Sequence, residues 1–242
     1  MVRLTLSTDP RRPWAEIRSL AESAEGAAWD ALRCSDRAET GPDCLTLAGA
    51  LAAAVPRIRL DAVIQDDAGR HPAVVAKLAS TVDQLSDGRL LLGLLPGAGA
   101  DAEARLEEVV EVVKSLASEV RTTWRGQFYR LQEAPLDPKP RQQPFPVMLV
   151  GGRPGLAARV ADHWSIAGRP DQLRSQLAAL DAACHALGRD RSVIAISAAA
   201  GATPVTPVAG VDEWVIPDRA LGDDPAHWAA ALATIRAALP TT

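Results

Sequence analysis

Apolar and polar positions follow two periods along this chain, and the two take turns. Val2–Ser7, VRLTLS, alternates residue by residue as a strand does. Trp14–Glu25 then spaces its apolar residues as an amphipathic helix, with Pro13 suited to the first turn, where its missing N–H has no helical partner. The exchange repeats. Asp30–Ser35 reads as a second strand, Leu45–Ala54 as a helix opened by Pro42-Asp43 and stopped by Pro56, and Arg57–Gln65 as a third strand rich in apolar and β-branched residues. Pro72–Leu85 is predicted helical up to Ser86-Asp87-Gly88. Arg89–Leu95, RLLLGLL, is a nearly unbroken apolar run, the mark of a strand buried on both faces of a parallel sheet. Helix Ala102–Leu116 follows.

Val120–Gln143 breaks this rhythm. It predicts a surface hairpin around WRGQFYRL and an extended Pro-rich arm, APLDPKPRQQPFP. Strand Val147–Val150, helix Gly155–Ala161, strand Trp164–Ala167, helix Asp171–Leu187 and strand Ser192–Ser197 then restore it. Strand Val211–Ile216 and helix Ala226–Leu239 close the chain, and no helix is predicted between the last two strands. Strands alternating with helices of ~10–15 residues imply a parallel sheet, and a count of eight implies closure into a (β/α)8 TIM barrel. The 242 residues suit such a barrel, for which ~250 is typical. Residues 1–242 are read as one barrel domain, with the hairpin and arm at about 120–145 as an excursion between two barrel units. The C-terminal rim is trimmed where the helix between strands seven and eight is missing.

Composition narrows the function classes. A net charge of −4 and scattered basic residues, with Arg11-Arg12 too short for a patch, argue against nucleic acid and anionic membranes as partners. Cys34, Cys44 and Cys184 form no CxxC and are an odd number, which fits small buried hydrophobes in a reducing compartment. The start, MVRLTLSTDPRRPW, lacks the pattern of a signal peptide, and no run of ~18 apolar residues occurs. The expectation is a cytoplasmic protein; its Ala- and Arg-rich composition suggests a bacterial one.

In a parallel barrel ligands bind at the C-terminal ends of the strands, so candidate chemistry is sought there. The fifth barrel strand ends in Gly151-Gly152-Arg153, the sixth in Gly168-Arg169, and the fourth in Pro96-Gly97-Ala98-Gly99-Ala100, each directly before a helix. Glycines admit close backbone approach, free N–H groups and the helix dipole favour a phosphate, and Arg153 would add a charge-assisted contact. After the second strand, Asp36 would orient a ligand or pair with Arg33 or Arg37. His71, in Arg70-His71-Pro72, suits a helix cap. His163, His185 and His227 show no metal-ligand spacing, and GxSxG and the phosphate-loop pattern are absent. No metal is expected.

Two stretches resemble the bacterial luciferase-like monooxygenases and coenzyme F420-dependent oxidoreductases. Arg57–Gly99 is similar to the family's run from the third strand, through an Arg-His-Pro helix start and an LSxGR turn, to a Gly-rich strand end. Gly126–Ile166 is similar to its GxxY hairpin, Pro-rich arm, Gly-Gly strand end and AARxADxW helix. The resemblance implies a barrel that binds FMN or F420 at its C-terminal rim and acts on a small-molecule substrate. Phosphate would lie near Gly151, Gly152 and Arg153, with Gly168 close by, and Gly97 and Gly99 on the same rim. The ring system would rest at Ala62 and Val63, near a non-proline cis peptide, and Asp36 would position the ring or the substrate. It also implies a homodimer packed through Leu45–Ala54 and Pro72–Leu85. The chain departs from the family's usual pattern at Arg37, where relatives carry His, at Asp61-Ala62, where they often have Gly-Thr, and in the short connection after strand four. These departures keep a second reading open, a flavin-binding or cofactor-less barrel acting as a subunit or interaction partner. A third, a phosphate-binding isomerase, would need a base such as Glu213.

Overall fold

The alternation in Arg3–Thr8 becomes β1: Leu4 and Leu6 are buried under the helices, while Thr5 turns into the barrel to meet Glu213 of the neighbouring strand. The computed structural model describes residues 2–36, 41–65, 69–200, 205–221 and 228–239. After β1 come β2 (Ala31–Ser35), β3 (Arg59–Gln65) and β4 (Leu90–Leu95), the hairpin β5 (Thr122–Arg125) and β6 (Arg130–Ala134), and then β7 (Val147–Val150), β8 (His163–Ala167), β9 (Ala195–Ala199) and β10 (Glu213–Pro217). Eight strands close a parallel barrel in the order β1-β10-β9-β8-β7-β4-β3-β2. The expected fold class is therefore the observed one. Helices α1 (Trp14–Gly26), α2 (Cys44–Ala54), α3 (Pro72–Leu85), α4 (Ala102–Ser118), α5 (Pro154–Val160), α6 (Pro170–Leu187) and α7 (Trp228–Ala238) supply its outer layer. Among the described residues no helix lies between β9 and β10.

Local chemistry sets the ends of these elements. Asp43 caps α2 by accepting the Thr46 N–H at 2.6 Å, and His71 caps α3 through Nδ1, which accepts the Ala73 N–H at 3.1 Å. The seventh barrel strand departs from its expected place at Ser192–Ser197. Asp190 accepts both the N–H and the Oγ–H of Ser192 at 2.8 Å, which winds Arg191–Val193 into a 3-10 turn and delays β9 to Ala195. Its rim end is thus Ala199-Ala200, and Ser197 lies inside the barrel.

The excursion after α4 is tied down at both ends. Glu108, buried on α4, accepts Trp124 Nε1–H at 3.0 Å and the backbone N–H groups of Phe128 and Tyr129 at 2.9 and 2.8 Å. Gly126 sits so close to this carboxylate that a Cβ would come within 1.8 Å of it, so no larger residue fits. The arm then runs along α3: Ser80 and Gln84 donate to the carbonyls of Pro138 and Lys139 at 2.5 and 2.7 Å, and Asp83 accepts the Gln142 N–H at 2.9 Å. Two peptide bonds of the described residues are cis, Asp137–Pro138 and Gln143–Pro144, both in this arm. The non-proline cis bond expected by Ala62 and Val63 is absent, because β3 there pairs in regular register with β2 and β4. Among the described residues no helix is long and apolar enough to cross a membrane.

Candidate active site at the C-terminal rim

The lower and middle barrel is filled by charge instead of the usual branched apolar layers. Arg33 from β2 donates to Asp61 of β3 at 3.1 and 3.0 Å and to Ser165 of β8 at 2.8 Å. Arg59 bridges Asp61 and Glu213, donating at 2.8 and 2.7 Å. Burial opposes charge on Asp61, but the Arg59 and Arg33 guanidiniums overcome it and hold the carboxyl well below the usual carboxylate range. His163 faces the same cluster with Nε2 unpartnered, and burial lowers it from 6.5 to about 4. Arg33, Asp61, His163 and Glu213 are buried, with Arg59 half-buried beside them, and Glu213 sits at the first position of β10, far from the rim. It is a structural ion, which removes the base that an isomerase reading needs.

Above this layer the rim splits into two sides. On the β3-β4-β7 side, Val63, Leu91 and Met148 form an apolar plug, with Leu95 and Val150 half-buried on it. Ala62, by contrast, turns outward and is fully buried in the layer beneath the helices. Gly151 and Gly152 follow β7 with φ of 71° and 74°, a left-handed turn that favours glycine. Trp164 of β8 fixes this turn, its Nε1–H donating to the Gly151 carbonyl at 2.7 Å. The side of Gly151 where a Cβ would stand is open. Arg153 is exposed, and its N–H and Nε–H both donate to Glu103 at the start of α4, at 3.0 and 2.5 Å. The chain's own carboxylate thus sits on the donor set that the sequence suggested for phosphate.

The remaining predicted residues spread around the mouth. Gly97 is half-buried and Gly99 exposed in the short turn from β4 to α4, and Gly168 stands exposed after β8, where the Gln172 side chain packs against it. Asp36 closes β2 with its N–H donating to the Val63 carbonyl at 2.7 Å. Its carboxylate pairs with Arg70, 3.5 Å away. Arg70 also pairs with Asp43, and Arg33 is committed to Asp61. Arg37 lies outside the described residues.

On the opposite side a cleft of about 520 Å³ opens over β1, β2, β9 and β10. Ser7 and Ser35 lie in it, with Ala199, Val215 and Pro217 as an apolar wall. Its floor is fixed by Asp218, buried after β10, which accepts Thr8 Oγ1–H at 3.0 Å and Arg12 Nε–H at 3.1 Å. The sequence reading missed this cleft. The only signal was Arg11-Arg12 after the first strand, and its meaning depends on Asp218, which lies some two hundred residues away in the chain.

Comparison with known proteins fits this geometry. The luciferase-like monooxygenase family profile matches residues 2–207. The chain belongs to that family. Within this luciferase-like group, it is 29% identical over 171 residues to an F420-dependent glucose-6-phosphate dehydrogenase of Kineococcus radiotolerans, covering 61% of this chain and 50% of that protein. It is 26% identical over 194 residues to an FMNH2-dependent dimethylsulfone monooxygenase of Pseudomonas putida, covering 67% and 53%. The chain therefore spans about half the length of the curated relatives it matches. The coenzyme F420-dependent tetrahydromethanopterin reductase of Methanopyrus kandleri shares the fold with a TM-score of 0.75 at 17% identity, over 82% of this chain and 65% of that one.

The Arg153 donor set already holds one oxyanion, the Glu103 carboxylate, so its chemistry suits a phosphate. The three cysteines are buried and free, and burial pushes the Cys34 thiol up to about 12 and the Cys44 thiol higher still. Neither is a thiolate at neutral pH. Among the described residues no group of three or more His, Cys, Asp or Glu is placed to hold a metal ion.

Proposed function

We propose that the chain is an oxidoreductase that uses F420 or reduced FMN against a small organic substrate at the C-terminal mouth of the barrel. The observation that carries this reading is the Gly151-Gly152-Arg153 turn, open on one side and already holding an oxyanion, next to an apolar plug. The backbone of Gly151 and Gly152 would hold the cofactor's phosphate, with Arg153 exchanging Glu103 for it and Gly168 leaving the neighbouring strand end low. Leu95 and Val150 over Val63 and Met148 would give a flat ring an apolar floor, with Gly97 and Gly99 at its edge and Ala62 supporting it from behind. Asp36, restrained by Arg70, would orient the ring or the substrate. The bound cofactor would supply the hydride or oxygen chemistry, and the protein its orientation and a dry floor. A homodimer through α2 and α3 belongs to the same reading. Val74 and Leu85, both exposed and about three turns apart on α3, support it, and sedimentation equilibrium reads it directly.

The test is a fluorescence titration of the folded protein with FMN and with F420, oxidised and reduced. Micromolar or tighter binding of one identifies the cofactor. Failure of both, with circular dichroism showing a folded chain, would remove the oxidoreductase reading and leave a barrel that acts as a subunit or partner.

A further inference from the structure

The cleft over β1, β2, β9 and β10 is lined by three guanidiniums, Arg11, Arg12 and Arg219, against two carboxylates, Asp9 and Asp218. The carboxylates are already committed. Asp9 accepts Arg11 Nε–H at 3.0 Å and Nη2–H at 2.6 Å, and Asp218 accepts Thr8, Arg12 Nε–H and the Arg219 N–H, the last at 2.6 Å. What remains is positive. Among the described residues the Arg219 guanidinium has no partner, Arg12 gives Nε–H to Asp218 and Nη1–H to Glu16 at 3.5 Å and keeps only its Nη2 edge unpaired, and the hydroxyls of Ser7 and Ser35 are likewise unpaired. These unmatched donors line a cavity of the size that small ligands fill, ~300–1,000 Å³, beside the apolar wall of Val215 and Pro217.

We infer that this cleft binds a small organic anion, a carboxylate or phosphate monoester with an apolar body. Its charged end sits on Arg219 and Arg12, with Ser7 and Ser35 donating to it, and its body lies against Pro217 and Val215. A neutral ligand would leave those guanidiniums unmatched while stripping their water, which disfavours it. The assignment names the substrate side of the mouth and rests on the reading of the rim as an active site.

The experiment is a set of titrations followed by the ¹⁵N-labelled amide and arginine Nε–H signals, using benzoate, phenyl phosphate and the neutral benzyl alcohol. The expected result is that both anions bind, shift the Arg12 and Arg219 signals and bind about tenfold more tightly than benzyl alcohol. Arg219→Gln, at an exposed and unpaired position, keeps the fold and weakens the anions about tenfold while leaving benzyl alcohol unchanged. Equal binding of benzyl alcohol, no binding of any probe, or unchanged anion affinity in both Arg219→Gln and Arg12→Gln would overturn the assignment. So would competition between phenyl phosphate and FMN for this cleft, which would make it the cofactor's phosphate site. The two readings fail separately. Anion binding here without any binding of FMN or F420 removes the oxidoreductase and leaves the anion site, whereas cofactor binding without anion binding does the reverse.

Discussion

Arg33 of β2 and Asp61 of β3 form a buried ion pair across two neighbouring strands, with Arg33 Nε–H and Nη2–H both donating to one Asp61 oxygen at 3.1 and 3.0 Å. The pair cannot be judged alone, since Asp61 also accepts Arg59, and Arg33 also donates to Ser165. Asp61→Leu would leave two guanidiniums in the barrel with one acceptor fewer. Such an uncompensated buried charge costs about 3–5 kcal/mol. Urea unfolding should show that loss, and it should show Arg33→Leu with Asp61→Leu together costing less than the two single changes summed. A single-site loss below about 1 kcal/mol would mean that water reaches the cluster.

His163 gives the fold a pH dependence of definite sign. Burial lowers it from 6.5 to about 4, against a raising influence of Glu213 and Asp61 and a lowering one of Arg33 and Arg59. Between those two values the unfolded chain binds a proton that the folded chain refuses. The contribution is therefore present above pH 6.5 and is lost as pH falls toward 4. The full loss is about 3 kcal/mol. Asp61 and Glu213, whose carboxyls are held low by the arginines, add their own loss only at more acid pH. Unfolding midpoints at pH 7 and pH 4.5 should converge in His163→Gln relative to the parent protein. An unchanged gap would place the titrating group elsewhere.

Glu103 is the built-in competitor of the proposed cofactor phosphate, holding both the N–H and the Nε–H of Arg153. Glu103→Ala should therefore tighten FMN or F420 binding about threefold to tenfold, the range for releasing one exposed charge-assisted contact. Gly152→Asp should abolish it without unfolding the protein, because φ of 74° strains any side chain there and the new charge repels phosphate. A Glu103→Ala protein with unaltered affinity would argue that Arg153 is no part of the phosphate site.

Much of the architecture was legible because it is written in local periods. RLLLGLL at β4 is buried on both faces and reads as such, VMLV reads as the strand β7, and Pro72 and Asp43 mark helix starts by their own chemistry. The Gly151-Gly152 turn was legible for the same reason, since its backbone angles ask for glycine wherever it is placed. Even β9, misplaced by three residues, failed for a local cause, the Asp190 side chain capturing Ser192.

The sequence by itself determined the strand and helix alternation, and with it the parallel barrel, because hydrophobic period and turn chemistry act over a few residues. Only the tertiary structure decided where the charges go. Arg33, Arg59, Asp61 and Glu213 are charged residues in largely apolar strands, and their partners are set by barrel closure and register, with Arg59 meeting Glu213 across 154 residues of chain. Asp36 pairs with Arg70 while Arg33 goes to Asp61, Arg153 chose Glu103, and Arg12 chose Asp218 for the same reason. Coulomb pairing is nearly indifferent to sequence separation, so the partner is whichever group the closed sheet brings within a few ångströms.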